Sequence, residues 1–104
     1  MAYKVDKSHL AQQDMFEIFD YLTEKLSAIG AAKRFYDSLH ACYSRLKRHP
    51  RMYPICRNEV LAAKGFRCAT VMNYIVFYTV DEANRRVMVQ RIIHGTRDYT
   101  RIEL

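Results

Sequence analysis

Apolar residues recur along this chain with two different periods, and the change of period divides it. From Ser8 to Leu46 the period is helical. Met15, Ile18, Phe19, Leu22 and Leu26 step by three and four, which lays an apolar stripe along one helix face. Ser8 stands just ahead of that stripe, where its hydroxyl can accept a bond from an early helical N–H. Gly30, in "SAIG", is the expected end of this helix, because glycine tolerates positive φ. A second stripe follows at Ala32, Phe35, Leu39, Cys42 and Leu46, and Pro50 and Pro54 stop it. So short a link predicts an antiparallel helical hairpin. "YKV" (3–5) reads as a short strand before the first helix.

Beyond residue 64 the pattern is that of strands. "GFRCAT" (65–70), "NYIVFYTV" (73–80) and "VMVQRII" (87–93) are rich in β-branched and aromatic residues, and "DEANRR" (81–86) reads as a hairpin loop. The predicted fold is α+β in one domain, 1–104. A short N-terminal strand and an antiparallel helical hairpin precede three antiparallel strands, with the helices on one face of the small sheet and the other face free. The predicted core sets Met15, Ile18, Phe19, Leu22, Phe35, Leu39 and Leu46 against Val76, Val87, Val89 and Ile93. Strict alternation would place Arg91 beside Val87, Val89 and Ile93. A charge so nearly buried needs an acidic partner, and Asp98 and the acidic residues of the first helix are the candidates.

Charge sharpens this picture because it is unevenly spread. The formal net charge is +6. The stretch Ser8 to Lys25 carries Asp14, Glu17, Asp20 and Glu24 against Lys25, whereas Lys33 to Arg57 carries seven Lys/Arg against Asp37 alone. A local basic field favours an acidic partner: nucleic acid, an anionic surface or an acidic protein. The three cysteines, Cys42, Cys56 and Cys68, include no C-x-x-C pair. That argues against a disulfide framework or a zinc site and for a reducing compartment. The opening "MAYKVDKSHL" has no signal-peptide core, and no apolar run approaches the ~18 residues of a membrane span. A soluble, cytoplasmic protein is expected.

Most catalytic templates are absent: there is no G-x-S-x-G, no P-loop and no H-E-x-x-H. No metal or cofactor is expected, since acidic residues are sparse outside the first helix. One group remains. Lys64, Arg67, His94, Arg97 and Tyr99 fall at the ends of the late strands. Metal-free RNA cleavage needs a base for the 2′-hydroxyl, an acid for the leaving oxygen and cations on the phosphate. His94 or Tyr99 could handle protons while Arg67 and Arg97 hold phosphate. The same residues are also what ordinary polar strand ends look like.

The segment "KGFRCATVMNYIVFYTVDEANRRVMVQRIIHGTRD", taken with the order of elements and the "HPRMYP" stretch, resembles the RelE/ParE superfamily of bacterial type II toxin–antitoxin toxins. The most specific parts are Gly65-Phe66-Arg67, Tyr74 to Tyr78 with Val80, and Arg91-Ile92, His94-Gly95 and Arg97-Asp98. The resemblance implies a growth-inhibiting, plasmid-stabilising toxin held inactive by an antitoxin in a hetero-oligomer. It leaves two targets open. ParE-like members poison DNA gyrase without nuclease chemistry. RelE-like members are ribosome-dependent mRNA endonucleases, for which Arg67, His94, Arg97 and Tyr99 would be the catalytic set here. Lys64, Arg67, Arg97 and Arg101 are the expected target-binding cations under either reading. The nuclease lysines ahead of the sheet-opening arginine are unmatched, with Asn58 and Val60 in that stretch, and the "RIIHGTRD" ending is closer to the ParE branch. A degenerate fold kept as a binding module is the third reading.

Overall fold

The computed structural model describes residues 2–98 and Leu104. Strand β1 (Lys4–Lys7) leads into helix α1 (His9–Asp20), a π-helical turn (Tyr21–Lys25) and helix α2 (Ile29–Arg48). A five-residue helix α3 (Glu59–Ala63) precedes strands β2 (Arg67–Val71), β3 (Tyr74–Asp81) and β4 (Arg86–His94). The sheet order is β1-β4-β3-β2, with β1 parallel to β4 and the other pairs antiparallel. The three antiparallel strands are therefore as expected, and the N-terminal strand completes a mixed sheet of four.

The core follows the second helical stripe closely. Ala32, Phe35, Leu39, Cys42 and Leu46 are all buried, against Ala69, Val71, Val76, Tyr78, Val87, Val89 and Ile92 of the sheet. The first stripe is displaced. The buried residues of α1 are Ala11 and Asp14, followed by Leu22 in the π-turn, while Met15, Ile18 and Phe19 are only partly covered and Leu26 is 53% exposed. A charged residue thus occupies a position that hydrophobic periodicity assigns to solvent. Gly30 does not end the first helix either; it is the second residue of α2. The chain reverses at Ser27, whose φ is +49°, with Ala28 N–H donating to the Leu22 carbonyl. A serine there costs about 1 kcal/mol more than glycine would.

Strict alternation also fails in β4, for a specific reason. Tyr78 pairs with Val89 and Phe77 with Arg91, so Gln90 is an extra residue bulged out of the ladder. Past the bulge the faces exchange. Ile92, rather than Ile93, joins the helix-side core, and Ile93 joins Cys56, Leu61, Phe66 and Phe77 on the opposite face. That opposite face was expected to be free, yet α3 and Leu104 pack over part of it.

Helix α3 was not anticipated, although its punctuation is legible. Asn58 caps it by accepting from Leu61 N–H. Gly65, at φ +82°, closes it: Gly65 N–H donates to Ala62 O and Phe66 N–H to Leu61 O, a Schellman ending with Phe66 and Leu61 in the same cluster. The structure also joins Cys56 to Cys68 in a disulfide, where the odd cysteine count argued against a disulfide framework; Cys42, on the buried face of α2, stays free. Counting cysteines could not foresee this. The edge of β2 recruits residues 54–56 through the Ile55–Arg67 bridge and so brings the two together. Among the described residues no helix is long and apolar enough to cross a membrane.

Burial grades the cost of truncation. Leu39→Ala, at a side chain only 1% exposed, should lower stability by about 2–5 kcal/mol. Phe19→Ala, at the half-covered margin, should cost roughly 1 kcal/mol. Urea unfolding of both variants checks this, and equal losses would mean that α1 is turned differently.

Candidate functional site

The first determinant of the site is how α1 holds β4. Strand β1 pairs with β4 only as far as Lys7–Val89. Beyond that point no strand among the described residues lies beside the outer edge of β4, and α1 takes over. Ser8 Oγ donates to the bulged Gln90 carbonyl at 2.7 Å while accepting from Ala11 N–H at 3.0 Å, so one hydroxyl caps the helix and seats the bulge. Farther along α1, Asp14 receives three bonds. Arg91 donates through Nε at 2.7 Å and through its terminal nitrogen at 2.9 Å, and Ile92 N–H donates at 3.0 Å. The side chains of Arg91 and Asp14 are 12% and 8% exposed, so this is a nearly buried, bidentate pair. Arg91 thus has its acidic partner from the first helix, one of the two sources expected.

This clamp stands at the wall of a cleft of about 520 Å³, open between the α1/π-turn and the ends of β3 and β4. Ile18, Leu22, Leu26 and Ile92 supply apolar lining; Glu17, Asn73, His94 and Arg97 supply polar groups. Tyr74 lines it too, edge-on to the His94 ring at 5.4 Å. Burial, with a smaller contribution from Tyr21, holds the Tyr74 hydroxyl above its ordinary pKa, so it serves as a neutral donor. His94 Nδ1 lies 2.7 Å from Thr96 Oγ1 and accepts from Thr96 N–H at 3.2 Å. In the tautomer that keeps Nδ1 as the acceptor of the Thr96 N–H, the ring N–H is at Nε2. Gly95 adopts no positive φ. A side chain there would instead crowd the Asn73 carbonyl, 3.3 Å from an added Cβ, to which Gly95 N–H donates at 2.8 Å.

His94 and Arg97 therefore share one cleft. Arg67 does not belong to it. Tyr74 pairs with His94 and Tyr78 with Arg67, so four residues of β3, about 13 Å, separate the two positions along the sheet. Arg67 is also occupied: it donates to the Tyr53 carbonyl at 2.8 Å. Arg45 Nε donates to the Tyr53 hydroxyl at 2.8 Å, and Tyr78 OH to the Pro50 carbonyl at 2.7 Å. Together they pin residues 50–53 across the end of the sheet, a role the arginine-rich sequence did not disclose. Lys64 is exposed at the end of α3, near Arg67 in the chain. Tyr99 and Arg101 lie outside the described residues. The basic field has a structural share as well, since Arg45, Lys47 and Arg48 fill the last turn of α2, where cations complement the helix dipole. Arg51 pairs with Glu82.

A second surface lies on the helical hairpin. Phe16, Tyr21, Leu26, Ile29 and Tyr36 are exposed, and Phe19, Ile29, Lys33 and Tyr36 line an apolar groove. Among the described residues no group of three His, Cys, Asp or Glu is placed to hold a metal ion.

Comparison with known proteins gives this geometry its context. The family model described as "ParE toxin of type II toxin-antitoxin system, parDE" matches residues 5–99. The chain belongs to the ParE toxin family. No curated protein is close enough in sequence to count as a relative. The ParE-family chain shares its fold with a chain of the chromosomal ParDE toxin–antitoxin system from P. aeruginosa, with a TM-score of 0.70 and 16% identity over 89% of this chain and 96% of that one. It is also similar to a chain of the RelBE2 toxin–antitoxin complex from Mycobacterium tuberculosis, with a TM-score of 0.59 and 24% identity over 90% of this chain and 99% of that one. On this ParE-like frame, the cleft and the hairpin groove are two candidate surfaces.

The Tyr78 anchor carries a pH signature. Burial outweighs the nearby Arg67 charge and pushes the Tyr78 hydroxyl from 10.0 up to about 12. A folded pKa above the unfolded one means that the native state keeps its proton longer, so this stability is complete below pH ~10 and is lost as pH rises towards 12. The expected loss is about 2–3 kcal/mol across that window. Tyr78→Phe should flatten that part of the urea midpoint against pH, and an unchanged slope would show that Tyr78 does not carry it.

Proposed function

We propose that this ParE-family chain inhibits growth by gripping DNA gyrase in the cytoplasm, without catalysis, and that a cognate antitoxin neutralises it. The observation that carries this reading is the separation of the candidate catalytic groups. General acid–base cleavage requires proton-transfer groups and phosphate-binding cations within hydrogen-bond reach of one reacting centre. Arg67 stands about 13 Å along β3 from the His94 position and is bonded to the Tyr53 carbonyl. His94, with Nδ1 engaged by Thr96, would have to give up those bonds or change tautomer to present a basic nitrogen to a hydroxyl. A binding surface carries no such demand. His94, Arg97 and Tyr74 at the cleft, with Lys64 and the basic end of α2 elsewhere, provide polar and cationic contact points distributed over the molecule.

The antitoxin fits the other surface. Exposed Ile29 and Tyr36 beside Phe19 and Lys33 suit an amphipathic, acidic segment that orders on binding and lays its apolar face along the hairpin. Two solved chains similar to this one come from toxin–antitoxin systems, in keeping with a partner of that kind.

The test is His94→Ala, scored for toxicity, for DNA supercoiling and for mRNA integrity in the same cells. The reading expects toxicity to persist, within about tenfold, with altered supercoiling and intact mRNA, because losses at a binding surface follow contact area. A fall of ~10²-fold or more in toxicity, together with the disappearance of mRNA cleavage, would replace it with the ribosome-dependent nuclease.

A further inference from the structure

The Cys56–Cys68 disulfide lies on another part of the molecule from the cleft and the hairpin groove. Cys56 precedes α3, and Cys68 is the second residue of β2. The backbone already holds the two together. Cys56 N–H donates to Phe66 O and Cys68 N–H to Pro54 O, each at 3.0 Å, and the two Cα atoms are 5.3 Å apart. The disulfide closes a flap made of α3 and its flanks. Few other contacts fasten that flap. Helix α3 has five residues, too few to persist alone, and the cluster beneath it comprises Cys56, Leu61, Phe66, Phe77 and Ile93. Leu104 packs against the same cluster. The two sulfur-bearing residues differ in access: Cys56 is 4% exposed, whereas Cys68 is half-buried.

We propose that Cys56–Cys68 is a reversible thiol–disulfide exchange site whose state sets how firmly residues 54–66, and Leu104 with them, are held on the sheet. Its co-reactants are a dithiol as reductant and a low-molecular-weight disulfide as oxidant. In reduction, one thiolate of the dithiol attacks Sγ of Cys68, the more exposed of the two residues. The protein S–S bond breaks, and its electron pair leaves on Cys56 Sγ, which takes up a proton. The second thiol of the reagent then attacks the mixed disulfide and releases Cys68 as a thiol, and the reagent departs as a cyclic disulfide. Two electrons have passed from dithiol to protein. Oxidation by the small disulfide is the converse exchange and yields two small thiols.

The flap carries Arg57 and Lys64, and Arg67 follows it directly, so its state also sets the presentation of part of the basic surface. In the oxidised form the loop between residues 12 apart is covalently closed. In the reduced form only the small cluster and a few backbone bonds hold it, and it opens as a local unit while the main core stays closed.

Amide hydrogen exchange on the full chain, before and after treatment with a dithiol, tests the proposal. The amides of Cys56, Phe66 and Cys68 should exchange on the order of 10²-fold faster after reduction. Tyr3, bonded to Lys47, and Ile92, bonded to Asp14, should change little. Oxidised protein, denatured and alkylated, should show Cys42 as its one free thiol. A Cys56→Ala/Cys68→Ala variant should show the reduced exchange pattern with or without dithiol. Three free thiols after incubation with the small disulfide would overturn the proposal. So would equal exchange in both states, or an equal acceleration throughout the helix-side core. None of these readouts depends on the target of the protein, so their failure is separable from failure of the gyrase reading.

Discussion

A single carboxylate decides how the open end of this sheet is built. Past Val89 no strand among the described residues pairs with the outer edge of β4, and the bulge at Gln90 turns the chain so that an arginine and a backbone N–H arrive at α1 together. Asp14 accepts from both. Without it, Arg91 would be a nearly buried cation lacking this carboxylate, and Ile92 N–H would lose its acceptor; each defect costs a few kcal/mol, roughly. The clamp also fixes which side of β4 meets the helices, because the bulge that needs it sends Ile92 inward and Ile93 to the far face. The cleft follows from this arrangement: α1 and its π-turn form one wall, and the last residues of β4 bring His94 and Arg97 to the other.

That dependence explains what could be read from residue order. Periodicity is a local property, and where local order decides the structure the reading is close: α2 buries its stripe, and the three late strands pair as expected. A bulge is not local. No residue in "VMVQRII" marks Gln90 as extra; the insertion is stabilised by Ser8 and Asp14, about 80 positions away. Asp14 was legible only in part: the first helix was an expected source of Arg91's partner, but which of its carboxylates turns inward depends on where β4 lies in the fold. The disulfide was obscured by parity, three cysteines being an awkward number for a framework, while the bridge that joins the pair exists only in the folded sheet. Helix α3 was the avoidable miss: an Asn-Glu start and a Lys-Gly end bracket "EVLAA" in the sequence itself.

The candidate site divides along the same line. His94 and Arg97 are close in sequence and share the cleft. Arg67 has the right chemistry for phosphate, but strand register carries it to the other end of β3, where it pins a loop. A motif read along the chain gathers these residues into one constellation; the sheet distributes them. This spread of cations supports the proposal of a surface that grips a large partner without catalysis.

The coupling between Asp14 and Arg91 can be measured directly by a double-mutant cycle. Asp14→Ala, Arg91→Ala and the double variant would be compared by urea unfolding. A nearly buried bidentate pair should give a coupling energy of about 2–3 kcal/mol, with each single variant losing about 3–5 kcal/mol. Additive losses, with a coupling below about 0.5 kcal/mol, would contradict the claim that this clamp organises the end of the sheet.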